Sequence, residues 1–192
     1  GHEVARIQCR RGDVLDAVGQ RDEALRVFDA AATALRALDA NSGLIAYAEG
    51  RAAMTLLKLG KVTAAEERAL EALEDAFDLD QDVDLLRGVG SLHGVLGHID
   101  AMRESHSDAA VHYAAARESR AQAADFVGAA MAVLSLGNLA FVQEDMERAE
   151  AIYAEAAEEC RRIGYRQGIA TALTNLGHVL IEQGKGGAAV RR

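Results

Sequence analysis

Three glycines 40 residues apart, Gly97, Gly137 and Gly177, return with their surroundings. Ala109, Ala149 and Ala189 each follow one of them by 12 residues, and Tyr113 and Tyr153 follow by 16. A second series, Gly88, Gly128 and Gly168, keeps the same step. A period of this size constrains the fold more than any other feature. Each unit is too small to bury its own apolar face, so units must stack and share one continuous core.

Each period divides into two helical halves. Met146, Ala149, Tyr153, Ala156, Cys160 and Ile163 advance by alternating steps of three and four, which places them on one helix face. Ala24, Phe28, Ala31, Leu35 and Leu38 repeat that stepping, as do Ala65, Ala69, Ala72, Ala76 and Leu79. The first halves are more apolar all round, Phe126 to Val142 above all, and such helices are covered on two sides. The chain has no proline, where average usage gives about nine or ten, and it is rich in helix formers.

The resulting expectation is all-α. Helix pairs are expected at 3–18 with 21–38, 43–59 with 62–79, 83–104 with 107–123 and 126–143 with 146–163. A fifth pair begins at 166–183 and has only a stub after 187. Short turns join the halves, with glycine closing one helix and Asp, Ser or Thr (Asp22, Thr63, Asp108, Asp145) capping the next. Between units, Asn41-Ser42 and the stretch from Asp82 to Asp84 serve the same purpose. Residues 1–192 read as a single solenoid of four full repeats and a partial fifth. An array that stops inside a repeat reads as a fragment of a longer protein.

These units resemble the tetratricopeptide repeat in a variant of roughly 40 residues. Leu96-Gly97, Leu136-Gly137 and Leu176-Gly177 match the Leu-Gly of the family's first helix. Ala24-Phe28-Ala31, Ala109-Tyr113-Ala116 and Ala149-Tyr153-Ala156 match the small-aromatic-small pattern of its second. The first-helix tryptophan is absent; Gln8, Glu49, His93, Val133 and Leu173 stand there. The second unit departs furthest, with Ala53 for the glycine and Ala69 for the aromatic.

The resemblance implies a right-handed α-α superhelix in which the aromatic fills the gap to the next pair and the first helices line a concave groove. The groove positions it implies are Tyr47, Met54, Leu57, Lys58, Ser91, His98, Met102, Met131, Leu134, Asn138, Phe141, Thr171, Thr174, His178 and Glu182. The methionines and Phe141 are adaptable anchors for a peptide or helix. His98, Asn138 and His178 occupy equivalent places and form a polar stripe. Lys58 alone does not make a lysine clamp for acidic chaperone tails, because Leu134 and Gly94 stand where further lysines would help.

The formal charge of −9 argues against nucleic-acid binding, which needs a basic surface. No apolar run is long enough to span a membrane, and no signal peptide is present. Cys9 and Cys160 form neither a disulfide framework nor a metal motif, which fits a reducing, cytoplasmic setting. No HExxH, nucleophile elbow or phosphate loop occurs, and the histidines lack ligand spacing, so no enzyme, metal or cofactor is expected.

Two functional readings remain open. One is a non-catalytic scaffold that binds a partner peptide or helix in the groove. The other is a sensory segment of a larger bacterial transcription regulator, holding a small effector or another domain of the same chain; the phrases Gly168 to Thr171 and Asn175 to Gly177 resemble the repeats of such regulators. Self-association is a third possibility, through an uncapped last unit bearing Ile169, Leu173, Leu176 and Leu180.

Overall fold

The computed structural model of the chain describes residues 1–38, 42–77 and 82–184. Among them the helices are α1 (His2–Ala17), α2 (Arg21–Ala37), α3 (Gly43–Lys58), α4 (Val62–Ala76), α5 (Val83–Met102), α6 (His106–Gln122), α7 (Phe126–Val142), α8 (Met146–Ile163) and α9 (Arg166–Glu182). Their bounds agree with the sequence expectation to within two residues, except that α4 ends earlier, at Ala76. Asn41, Leu79 and the stub of the fifth unit, including Ala189, lie outside the described residues. Each helix packs on the one before and the one after, which is the connectivity of an α-α solenoid.

The turns inside the pairs share one geometry. The second residue after the helix end adopts a left-handed conformation, at Gly19 and Gly60 but also at Glu104 and Glu144, where φ is 62° and 60°; the turn between the third and fourth pairs does the same at Ala124, with φ 53°. A side chain there costs roughly 1 kcal/mol, so the repeat enforces this turn even where glycine is missing. Capping is sparser than expected. Ser42, Asp82, Asp125 and Asp145 accept the backbone N–H groups of Leu44, Leu85, Gly128 and Arg148. Asp22, Thr63 and Asp108 do not cap. They lie in the first turn of helices whose N-caps are Gln20, Lys61 and Ser105, none of which makes a side-chain capping bond.

The signature glycine makes room for the aromatic of its own pair. A Cβ on Gly12 would lie 2.5 Å from the Phe28 ring, one on Gly97 2.9 Å from Tyr113, and one on Gly137 2.6 Å from Tyr153. The ring also meets the next pair, as expected: Phe28 clusters with Ala52 of α3, Tyr113 with Leu139 of α7, and Tyr153 with Ala172 and Leu176 of α9. The glycine-ring contact explains the second unit. Ala53 and Ala69 are both fully buried, so the methyl gained at the glycine position accompanies the ring lost at the aromatic position.

The inner layer is uneven. α3 lies along much of α5, with backbone on backbone at glycines. A Cβ on Gly88 would come within 2.5 Å of the Tyr47 nitrogen, and one on Gly50 within 2.8 Å of the Gly88 oxygen. α5 and α7 diverge instead, which leaves part of α6 visible between them.

Ion pairs tie the first units together. Buried Glu49 on α3 accepts from Arg36 of α2 at 2.8 Å and from Arg68 of α4. Buried Asp16 on α1 takes Lys58 at 2.6 Å and Arg51 at 3.5 Å. Such pairs fix register between helices; losing one partner would strand a buried charge.

Candidate binding groove

Where α5 and α7 diverge, a hollow of about 510 Å³ opens, bounded by α3 on one side and α7 on the other and floored by α5 and α6. Met54 and Leu57 come from α3, Gly94, His98 and Met102 from α5, Tyr113, Ala116 and Arg120 from α6, and Met131 and Ser135 from α7. Met102 is 62% exposed and Met131 52%. Large flexible apolar side chains that face an open hollow are a surface able to repack around a ligand. Gly94 leaves the floor empty: a Cβ there would meet only the tip of Met54, 4.0 Å away. A second hollow of about 270 Å³ continues this one toward Asn138 and Val142, sharing His98, Met102, Tyr113 and Ser135 with it.

Of the groove residues that the sequence suggested, Met54, Leu57, Lys58, His98, Met102 and Met131 surround the main hollow, and Asn138 borders its continuation. Thr171, Thr174, His178 and Glu182 are exposed on α9, away from both. Five expected positions are engaged by contacts within the fold. Leu134 is only 8% exposed and belongs to the core shared by α7, α8 and α9, against which Phe141 also packs. Ser91 is buried and accepts from Arg120. Tyr47 donates to Asp13 on α1 at 2.6 Å and borders a separate polar hollow between α1, α3 and α5. Lys58, though exposed, is held by Asp16, so its charge is already answered.

The three residues of the expected polar stripe, His98, Asn138 and His178, are exposed. Their chemistry is partly spent inside the fold. The Asn138 amide oxygen accepts from the Tyr153 hydroxyl at 2.7 Å and from Asn175 at 3.0 Å, and His98 lies 3.4 Å from the Tyr113 hydroxyl. Each buried tyrosine thus finds a partner for its polar tip at the stripe position of its own pair. Burial pushes the Tyr113 hydroxyl up to about 12, so it stays a donor.

Sequence reasoning missed Arg120 as a groove residue. The signal was available in the repeat register. Arg120 occupies the place held by Leu35, Ala76 and Cys160 in the other second helices, all buried and uncharged. Neither cysteine offers a nucleophile. Burial raises the Cys9 thiol to about 12, with Asp13 adding to the effect, and burial raises Cys160 as well. Among the described residues no three His, Cys, Asp or Glu side chains converge to hold a metal ion. No helix among them is long and apolar enough to cross a membrane.

One contact lies behind the groove. His93 and His112 approach with 2.9 Å between their Nδ1 atoms, and His112 Nε2 is 3.6 Å from Asp100. The same place in the repeat holds Glu49 with Arg68 in the second unit and Val133 with Ile152 in the fourth. Burial first, and His112 second, hold the His93 pKa below its ordinary 6.5. The folded site therefore binds fewer protons than the unfolded chain once pH falls through 6.5. Its stabilising contribution is complete above that pH and is lost progressively below it, until the depressed folded value is passed. Thermal midpoints should accordingly drop between about pH 7 and pH 5. Replacing the pair by the fourth unit's aliphatic residues (H93V with H112I) should flatten that part of the curve.

The helix pairing, the glycine-aromatic contact and the inner groove together define the tetratricopeptide-repeat fold, and the chain has that fold. No family model matches the sequence, and no curated protein matches it. Similarity appears among solved structures. BtubC from P. vanneervenii aligns with a TM-score of 0.74 at 18% identity, over 94% of this chain and 73% of that one. A Rap protein complexed with competence and sporulation factor aligns with a TM-score of 0.76 at 18% identity, over 97% of this chain and 51% of that one. YrrB, described as a TPR protein with an unusual peptide-binding site, aligns with a TM-score of 0.55 at 17% identity, over 96% and 80%. The chain thus spans about half the length of the Rap protein.

Proposed function

We propose that this chain is a non-catalytic binding scaffold and that the hollow between α5 and α7 is where its partner docks. One observation carries the reading: Met54, Met102 and Met131, from three different helices, converge on an open space floored by a glycine. Methionines exposed together at the mouth of a hollow favour a partner segment with apolar side chains of variable shape. Similar solved structures include a Rap protein complexed with competence and sporulation factor and a TPR protein with an unusual peptide-binding site, which is consistent with the reading.

Gly94 supplies the test. Gly94→Phe projects a ring from the floor, its Cβ meeting only the tip of Met54 at 4.0 Å, and it replaces the poorest non-proline helix former in a helix interior. Peptides enriched from a random library on the wild-type protein should lose at least about tenfold in affinity for this variant, while its helical circular dichroism and melting temperature stay level or rise. Peptides that bind both proteins equally would place recognition somewhere other than this hollow.

A further inference from the structure

Arg120 stands where the repeat calls for an apolar residue, and glycines on both sides leave space for it. Its counterparts Leu35, Ala76 and Cys160 are buried in the core. The two positions flanking its side chain are glycines. A Cβ on Gly90 would lie 2.6 Å from Arg120 Cγ, and one on Gly128 would collide with Nη1. In the neighbouring units the Gly90 position is Ala5, Ala46 and Ala130. The side chain runs from α6 into the gap between α5 and α7 and borders the methionine-lined hollow, with 17% of its surface exposed.

The guanidinium is incompletely answered. Nη2 donates to Ser91 Oγ at 3.1 Å, and Nη1 reaches Asp125 Oδ2 at a long 3.3 Å. Asp125 is itself divided, because its other oxygen caps α7 through the Gly128 N–H at 3.0 Å. These are fewer acceptors than the N–H groups of an arginine can serve. Arg51, on α3, adds a second positive charge close enough to disfavour the Arg120 cation further. A largely desolvated arginine with one shared, distant carboxylate favours a second anion.

From this arrangement we infer that the hollow binds a small monocarboxylate with an unbranched apolar body, its carboxylate on Arg120 and its chain among Met54, Leu57, Met102 and Met131. The inference rests on the reading of the hollow as a binding site and names what that site selects. The volume of about 510 Å³ lies within the range of small-molecule sites. Lys58 also borders the hollow but is held by Asp16, so Arg120 is the incompletely paired cation there, and it matches a single anionic head on an apolar body. A polyanion would leave its further charges against the methionines, and a neutral amphiphile would leave the arginine unanswered.

Decanoate and decan-1-ol are the probes, titrated calorimetrically below the decanoate micellar range. Wild-type protein should bind decanoate at least about tenfold more tightly than decan-1-ol, as a charge-assisted hydrogen bond provides. Arg120→Met installs an apolar side chain like those of the other units. It should keep the fold and the decan-1-ol affinity and lose the preference for the acid. Should Arg120→Met fail to fold, Gly94→Leu decides, since it leaves Arg120 and its bonds in place and fills the floor; it should abolish decanoate binding.

Equal affinity of the wild type for acid and alcohol would overturn the assignment of Arg120 while leaving an apolar site. Absence of decanoate binding, or decanoate binding that survives both substitutions, would overturn the site itself for this ligand class. The peptide selection reads the broader proposal separately: peptides that depend on Gly94, found together with no decanoate binding, would sustain a binding groove and refute the carboxylate.

Discussion

Gly88→Ala should be among the most damaging single-methyl additions to this chain, costing about 3 kcal/mol of stability, at the upper end for overpacking a core. The added Cβ would meet the backbone of α3, at the Tyr47 nitrogen 2.5 Å away and the Ala46 oxygen 2.6 Å away. No rotamer change can relieve that contact, because the obstructing atoms are main chain. The helices must separate, and Gly50, which faces Gly88 across the same seam, would lose its fit as well. Denaturant unfolding followed by circular dichroism measures the effect. An unchanged midpoint would mean that α3 and α5 are not seated on each other as described.

The second large effect is a contrast between two glycines in the same Leu-Gly motif, Leu136-Gly137 and Leu176-Gly177. Gly137→Ala should destabilise by roughly 2–3 kcal/mol, because the methyl enters the space of the Tyr153 ring. That ring cannot swing away freely: it is buried, and its hydroxyl is anchored 2.7 Å from the Asn138 amide oxygen. Gly177→Ala, at the same place in the next repeat, should instead be neutral or stabilise by up to about 1 kcal/mol, as alanine favours a helix interior. Among the described residues nothing lies within 4 Å of a Cβ built there. Parallel melting curves of the two variants test the pair. A similar loss at both positions would show that the motif glycine serves something other than the tyrosine. Repeat arrays can lose cooperativity, so the curves should be followed by both helix signal and tyrosine fluorescence.

Much of this molecule was legible as sequence. The helix bounds followed from the stepping of Ala149, Tyr153, Ala156 and Cys160 and its echoes, and the turns from the glycines and their substitutes. The groove was legible in part. Met54, Met102 and Met131 border the hollow because their register positions face inward by geometry. Leu134 does not border it, and Lys58 borders it with its charge already paired. Leu134 sits on a helix face that the α7–α9 core covers, and Lys58 is claimed by Asp16, which lies 42 residues away in sequence. A periodic pattern states which positions are equivalent but not which neighbour reaches each one first.

The same limit hid Arg120. The repeat register marked it as the odd residue in a row of Leu35, Ala76 and Cys160, yet an arginine on an amphipathic helix ordinarily reads as solvated surface. Only the gap between α5 and α7, together with the missing side chains at Gly90 and Gly128, turns it inward.

The 40-residue period by itself determined that this chain is a stack of helix pairs, because units of that size can bury their apolar faces only against copies of themselves. It also marked Ala53 and Ala69 as departures, which the structure joins as one shared volume. The tertiary structure alone decided where the stack is tight and where it opens. Seating α3 on α5 and parting α5 from α7 depends on backbone approach distances of a few tenths of an ångström, which residue types permit but do not specify. That local divergence makes a hollow from side chains on four helices and places a charge at its floor.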